Sequence, residues 1–169
     1  SDLVSLIIEV LQLATDEGAG ESLEGLLGKC CFLARLSDHG FSSQLTLDSL
    51  RCCRFHFDSL AHDNSASSSS IQATQIPTEQ QAQPPATPPP ALLTGTQIVR
   101  KFGKSTEPEE QVTIRVALWR LASKNIDLVL SVNEPAGASS SPPNQSGLAQ
   151  SAFEAAAASL QIRDWDLFA

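Results

Sequence analysis

The chain contains no methionine among its 169 residues. It opens with Ser1-Asp2 and passes within a few residues into Leu6-Ile7-Ile8, a composition that belongs to the middle of a domain. The expectation is a chain truncated at its N-terminus. No apolar run approaches the roughly 18 residues of a membrane-spanning helix, and no signal peptide is visible, so no membrane partner is expected. Basic residues are scarce. Eleven Lys and Arg stand against 19 Asp and Glu, for a net charge of −8. Non-specific nucleic-acid binding needs cations that displace counterions from phosphates, so no nucleic-acid partner is expected either. The same imbalance suits a steered encounter with a basic protein surface.

Signatures of catalysis and cofactor binding are also missing. There is no GxxxxGK[ST] and no GxGxxG, so no phosphate-cradling loop is expected. There is no GxSxG elbow. His56 and His62 are six apart, which is not the spacing of a helical HExxH site. His56 lies between Phe55 and Phe57 and reads as a packing residue, while Asp58 and Asp63 read as solvated helix-face charges. The four cysteines fall in adjacent pairs, Cys30-Cys31 and Cys52-Cys53. Neighbouring side chains diverge, so such pairs rarely share a tetrahedral ion. His39, His56 and His62 complete a zinc site only on paper, and free thiols in a reducing compartment are the plainer reading. Neither a catalytic group, a metal nor a cofactor is expected.

What is present is a set of short periodic segments. Residues 5–13, rich in Leu, Ile and Val, suit a strand. Residues 14–25 carry Gly18, Gly20 and Gly25 and read as a loop. Residues 28–53 show no sustained period and read as an insertion, either genuine or a translated intron. Residues 54–62 place Phe57, Leu60 and Ala61 on one helical face, with Asn64 and the serines after it ending the helix. Residues 64–91 hold six of the ten prolines, a Ser67–Ser70 run and one charge, Glu79. That composition cannot bury enough apolar surface to offset chain entropy, so a disordered loop is expected. Its Pro84–Pro90 stretch resembles a ligand of SH3 or WW domains, although a passive loop is the simpler reading.

The clearest pattern follows. Residues 94–102 suit a strand. In residues 111–121, Val112, Ile114, Val116 and Leu118 alternate with Thr113, Arg115, Ala117 and Trp119. One apolar and one mixed face predict an antiparallel sheet with helices on one side. Residues 126–133 form another strand. Residues 148–160 predict a helix with Phe153, Ala157 and Leu160 inward. The tail from 161 to 169 is expected to be extended and anchored by Ile162, Trp165 and Phe168. No βαβ repeat occurs, so the fold class is α+β with an antiparallel sheet flanked by helices.

Four segments in this order resemble the Ran guanine nucleotide release factor (Mog-one) family. They are Ser5–Gln12, Arg54–Leu60, Val112–Pro135 and the ending Asp-Trp-Asp-Leu-Phe-Ala at 164–169. The resemblance implies a single Mog-one/PsbP-like domain over residues 1–169. It implies binding to the Ran GTPase, release of Ran's guanine nucleotide, a role in nuclear protein import, and a place in nucleus and cytoplasm. It implies no enzyme activity. The family's N-terminal hairpin and its Pro-Asp-x-Gln-Glu-Val-Phe segment have no counterpart, so a missing hairpin is expected. Acidic residues that the family uses for Ran binding fall at Glu9 and Gln12, and only Glu9 keeps the charge. The alternatives from other classes are a PsbP-like structural subunit and a small-ligand or metal-binding domain.

Overall fold

In the computed structural model the described residues are 5–12, 41–76, 87–100, 108–136 and 147–168. The strands among them are β1 (Ser5–Gln12), β2 (Ser68–Gln75), β3 (Ala91–Arg100), β4 (Glu109–Leu121) and β5 (Ile126–Pro135). The helices are α1 (Phe41–Asp63) and α2 (Leu148–Ser159). The strands make one sheet in the order β1-β5-β4-β3-β2, every pair antiparallel. The fold is α+β, with β1 and β2 at the two edges.

Alternation along β4 builds two cores, because successive side chains point to opposite faces. Ile114, Val116 and Leu118 meet α1 through Cys52, Cys53 and Phe57, together with Leu93 and Val129. Ala117, Trp119 and Leu121 meet α2 through Phe153 and Ala157, together with Leu128, Leu130 and Val132. The helices therefore cover both faces, not one. The mixed face read from β4 becomes apolar once β5 contributes its own residues beside it. The tail completes this second core, with Ile162, Trp165 and Phe168 packed against it as expected, but it closes in a 3-10 turn at Asp166–Phe168 where an extended chain was expected. The Ile162 N–H donates to the Thr87 hydroxyl at 2.7 Å and ties the tail to the segment entering β3. Pro88 and Pro90 beside Thr87 are half-buried and only Pro89 is exposed, which disfavours a polyproline ligand at this end of the tract.

Two expectations need correction. The helix expected over 54–62 begins at Phe41, so residues 41–53 of the expected insertion are helical, and Cys52 and Cys53 lie in the core at 1% and 0% exposure. The period is obscured because Cys52 and Cys53 take core positions that a Leu or Ile would mark. Residues 28–40 lie outside the described residues. The tract 64–91, expected to be a disordered loop, contains β2 at Ser68–Gln75. β2 is an edge strand whose side chains are all exposed except the half-buried Ile71, so its apolar content is almost nil. Its place in the sheet comes from backbone pairing with β3, with a bulge between Ile71 and Ala73. Composition reports side-chain burial and is blind to such a strand.

The junction of α1 and β2 is built by backbone groups. Ser65 adopts φ 51°, the Ala66 N–H donates to Ala61 O and the Ser65 N–H to His62 O. This left-handed cap satisfies the last carbonyls of the helix with Ser where Gly is the usual residue. Gln97, fully buried, donates from Nε2 to Phe57 O at 3.1 Å and accepts from Asn64 Nδ2 at 3.3 Å. The end of α1 is thereby fastened to β3.

At Gly95 the Phe57 ring of α1 packs directly against the backbone of β3. A Cβ there would stand 2.6 Å from Phe57 Cζ and 2.7 Å from the Ser70 carbonyl oxygen. The ring is in the core and the carbonyl is backbone, so neither yields cheaply. Gly95→Ala is expected to destabilise the fold by about 1–3 kcal/mol, the usual cost of overpacking. Adding Phe57→Leu should cost less than the sum of the two single changes. Urea titrations of the three variants check this, and strict additivity would place Phe57 away from Gly95.

Candidate interaction surface

The described residues offer two kinds of polar chemistry, and they sit in different places. The first is buried beneath α1. Asp127, 1% exposed, opens β5 and is bracketed by Arg120 at 3.1 Å through Nε and 3.3 Å through Nη2. His56 reaches across from α1, its Nε2 3.8 Å from Asp127 Oδ2 and without a hydrogen bond. Cys53, one helical turn before His56, has its thiol pushed up to about 12, first by burial and then by the Asp127 carboxylate. Cys, His and Asp thus come together, but the arrangement cannot serve nucleophilic catalysis. The thiol is held protonated, and Cys53 and Asp127 are closed off from solvent. Sequence reading singled out His56 as a packing residue, and it is buried. Asp127 was missed, because one acid at the start of a strand looks like any turn residue.

The thiol chemistry gives a direct check. A thiolate is the reactive form, so Cys52 and Cys53 should resist alkylation in the native state at pH 8 and react once the protein is unfolded. Rapid native labelling of both would contradict their burial. The sign of the linkage follows from the raised value. The unfolded thiol ionises near 9 and the folded one near 12, so this contribution to stability is complete below pH 9 and is lost between pH 9 and 12.

On the opposite face, Arg115 pairs with Glu134 at 2.7 Å, their side chains 9% and 14% exposed. This pair lies beside Thr113 and Thr94 in the strand register and continues the polar part of that face. Among the described residues, no three His, Cys, Asp or Glu are grouped to hold a metal. His56 faces Asp127, and His62 is exposed beside Asp63. The expected role of Asp58 and Asp63 as solvated charges agrees with their exposure. Residues 30, 31 and 39 lie outside the described residues, as does the sequon at 144–146.

The second kind of chemistry is at the edge strand β1, where both sequence-derived site positions fall. Glu9 is exposed and stands opposite Val129 of β5. Gln12 stands opposite Ile126. The side chain of Gln12 lies outside the described residues. Glu9 sits among exposed apolar residues: Ile7 at 39%, Ile8 at 57% and Val10 at 56%. Ile7 and Glu9 belong to the α1 side of the sheet, Ile8 and Val10 to the α2 side. Such exposure of aliphatic side chains on an edge strand marks an interaction surface or an aggregation hazard.

A family model described as "Ran-interacting Mog1 protein" matches residues 1–135. The chain belongs to the Mog1 family. This membership rests on that match over most of the chain, and it bears out the resemblance read from the four segments. The crystal structure of the Saccharomyces cerevisiae Ran-binding protein Mog1p is 20% identical to this Mog1-family chain, with a TM-score of 0.43. The alignment covers 78% of this chain and 49% of the yeast one, so the chain spans about half the length of that relative. A Glu-to-Ala mutant of protein Mog1 is 19% identical with a TM-score of 0.49, covering 98% of this chain and 71% of the other. No curated protein matches the chain.

Proposed function

We propose that this Mog1-family chain binds the Ran GTPase through β1, with Glu9 as the charged contact, and promotes release of Ran's guanine nucleotide in support of nuclear protein import. Family membership supports the choice of partner. The observation that carries the site is Glu9 itself, an exposed carboxylate centred in an exposed apolar strand. A carboxylate so placed meets a Lys or Arg of the partner, and gives specificity and on-rate as well as affinity. The chain acts as a binder and not as an enzyme. It carries out no covalent step, and Gln12, which has no charge, contributes less than Glu9. Work in import places it in nucleus and cytoplasm.

Energetically, a release factor must bind nucleotide-poor Ran more tightly than nucleotide-loaded Ran. A protein with equal affinity for both shifts nothing, however tightly it binds. By linkage, nucleotide must weaken the chain's own hold on Ran by the same factor.

Glu9→Lys tests the site. Position 9 is exposed, so the melting temperature should stay close to wild type. Ran affinity should fall by about tenfold or more, as for reversal of an interfacial charge. The loss should shrink as salt is raised, because the Debye length falls from about 10 Å at 0.1 M to about 3 Å at 1 M. Gln12→Glu should change affinity only slightly. A folded Glu9→Lys protein with unchanged Ran affinity would remove Glu9 from the site.

A further inference from the structure

We propose that Thr87 is a phosphorylation site for a proline-directed protein kinase, and that the phosphate releases the tail from the second core. Three observations carry this. First, the sequence around the hydroxyl is Pro85-Ala86-Thr87-Pro88. Kinases of the mitogen-activated type read a proline directly after the acceptor residue and favour a second proline two residues before it. Proline also restricts the residue that precedes it to extended backbone, the form in which a kinase groove takes its substrate. Second, the hydroxyl already has a structural task. Thr87 is half-buried, and its Oγ1 accepts the Ile162 N–H at 2.7 Å across 75 residues of sequence. Ile162 packs against the second core together with Trp165 and Phe168. The hydrogen bond therefore sits at the root of the tail, just before the side chains that hold it down. Third, the surroundings oppose a phosphate. It adds about −1.5 to −2 of charge at neutral pH, and the chain already carries −8. After Ile162 the tail has Asp164 and Asp166 against the single cation Arg163. A dianion in a half-buried place also loses hydration. Its three added oxygens need room where the Ile162 backbone now stands against Oγ1.

The step is a phosphoryl transfer. The γ-phosphoryl group of ATP passes to Thr87 Oγ1, the hydroxyl proton goes to the kinase's catalytic base, and ADP leaves. The hydroxyl is freed when the tail lifts, and the dianion then hinders the tail's return, so phosphorylation shifts the population toward the open tail. Incubation of the whole chain with a purified mitogen-activated protein kinase and MgATP tests this. Ser141-Pro142 is the chain's other acceptor-proline pair, so Ser141→Ala is the background for every sample. Mass spectrometry maps the phosphate, and NMR hydrogen exchange and tryptophan emission follow the tail. The expected result is a phosphate on Thr87, exchange of the Ile162 amide faster by about tenfold or more, and emission moved to the red as Trp165 enters water. Amides at the centre of β4 and β5 should keep their exchange rates, because the opening is local. Thr87→Ser keeps the hydroxyl and its hydrogen bond, and should be modified and opened in the same way. Thr87→Val should show no kinase-dependent change. An absence of phosphate on Thr87 would overturn the assignment. Phosphate on Thr87 with Ile162 exchange unchanged would overturn release of the tail, and slowed exchange would overturn it too, by showing Arg163 clamping the phosphate.

Discussion

Val116→Asp is expected to abolish cooperative folding. Val116 is fully buried at the centre of β4, paired with Leu93 on one side and Ser131 on the other. Cys53 of α1 lies over the same backbone, its Sγ 3.9 Å from Val116 O. A carboxylate at this position has no cation within the cluster, which is aliphatic, aromatic and thiol. Burying an unpaired charge costs several kcal/mol even after relaxation, against a total stability of about 5–15 kcal/mol for a domain. The contrasting control is Ser69→Asp, on the exposed edge strand β2, where a surface change should fall within about 0.5 kcal/mol. Urea unfolding followed by circular dichroism separates the two. A Val116→Asp protein with a wild-type midpoint would show that this face is not core.

Asp127→Ala is expected to have the second largest effect. The carboxylate is 1% exposed and takes two hydrogen bonds from Arg120, whose side chain is 8% exposed. Removing it takes the Asp127 carboxylate from a buried guanidinium, and breaking a buried ion pair costs about 3–5 kcal/mol. Much of that cost belongs to the charge left behind and not to the pair. Arg120→Met combined with Asp127→Ala should therefore be more stable than Asp127→Ala alone, since an apolar side chain suits the site better than an uncompensated cation. The measurement is a double-mutant cycle at neutral pH. Equal stability of the two variants would mean that Arg120 reaches water once its partner is gone.

The contrast between β4 and β2 explains how far the sequence could be read. β4 declares itself because each inward position is a Val, Ile or Leu. β5, α2 and the tail were legible for the same reason, through Val129, Phe153 and Trp165. β2 was not, because a Ser-rich edge strand is held by its backbone and leaves no apolar period. The first half of α1 was hidden by a similar economy. Among the described side chains of that stretch, core contacts are made by Cys52 and Cys53, residues whose types suggest chemistry before packing. Glu9 stands out in the sequence as the single charge in an apolar run, and the structure leaves it exposed. The pairing of β1 with β5 was not legible, because strand order depends on contacts distant in sequence, here Ser5 with Asn133 and Gln12 with Ile126.

Loosening of Ran's hold on its nucleotide is the activity we propose for this chain. The direct measurement is the dissociation rate of a fluorescent guanine nucleotide from Ran, followed as the wild-type chain is added in increasing amounts. The expected result is a release rate that rises with the chain and saturates, with Glu9→Lys shifting the half-maximal point to higher concentration. A release rate unchanged by saturating amounts of folded wild-type chain would contradict it.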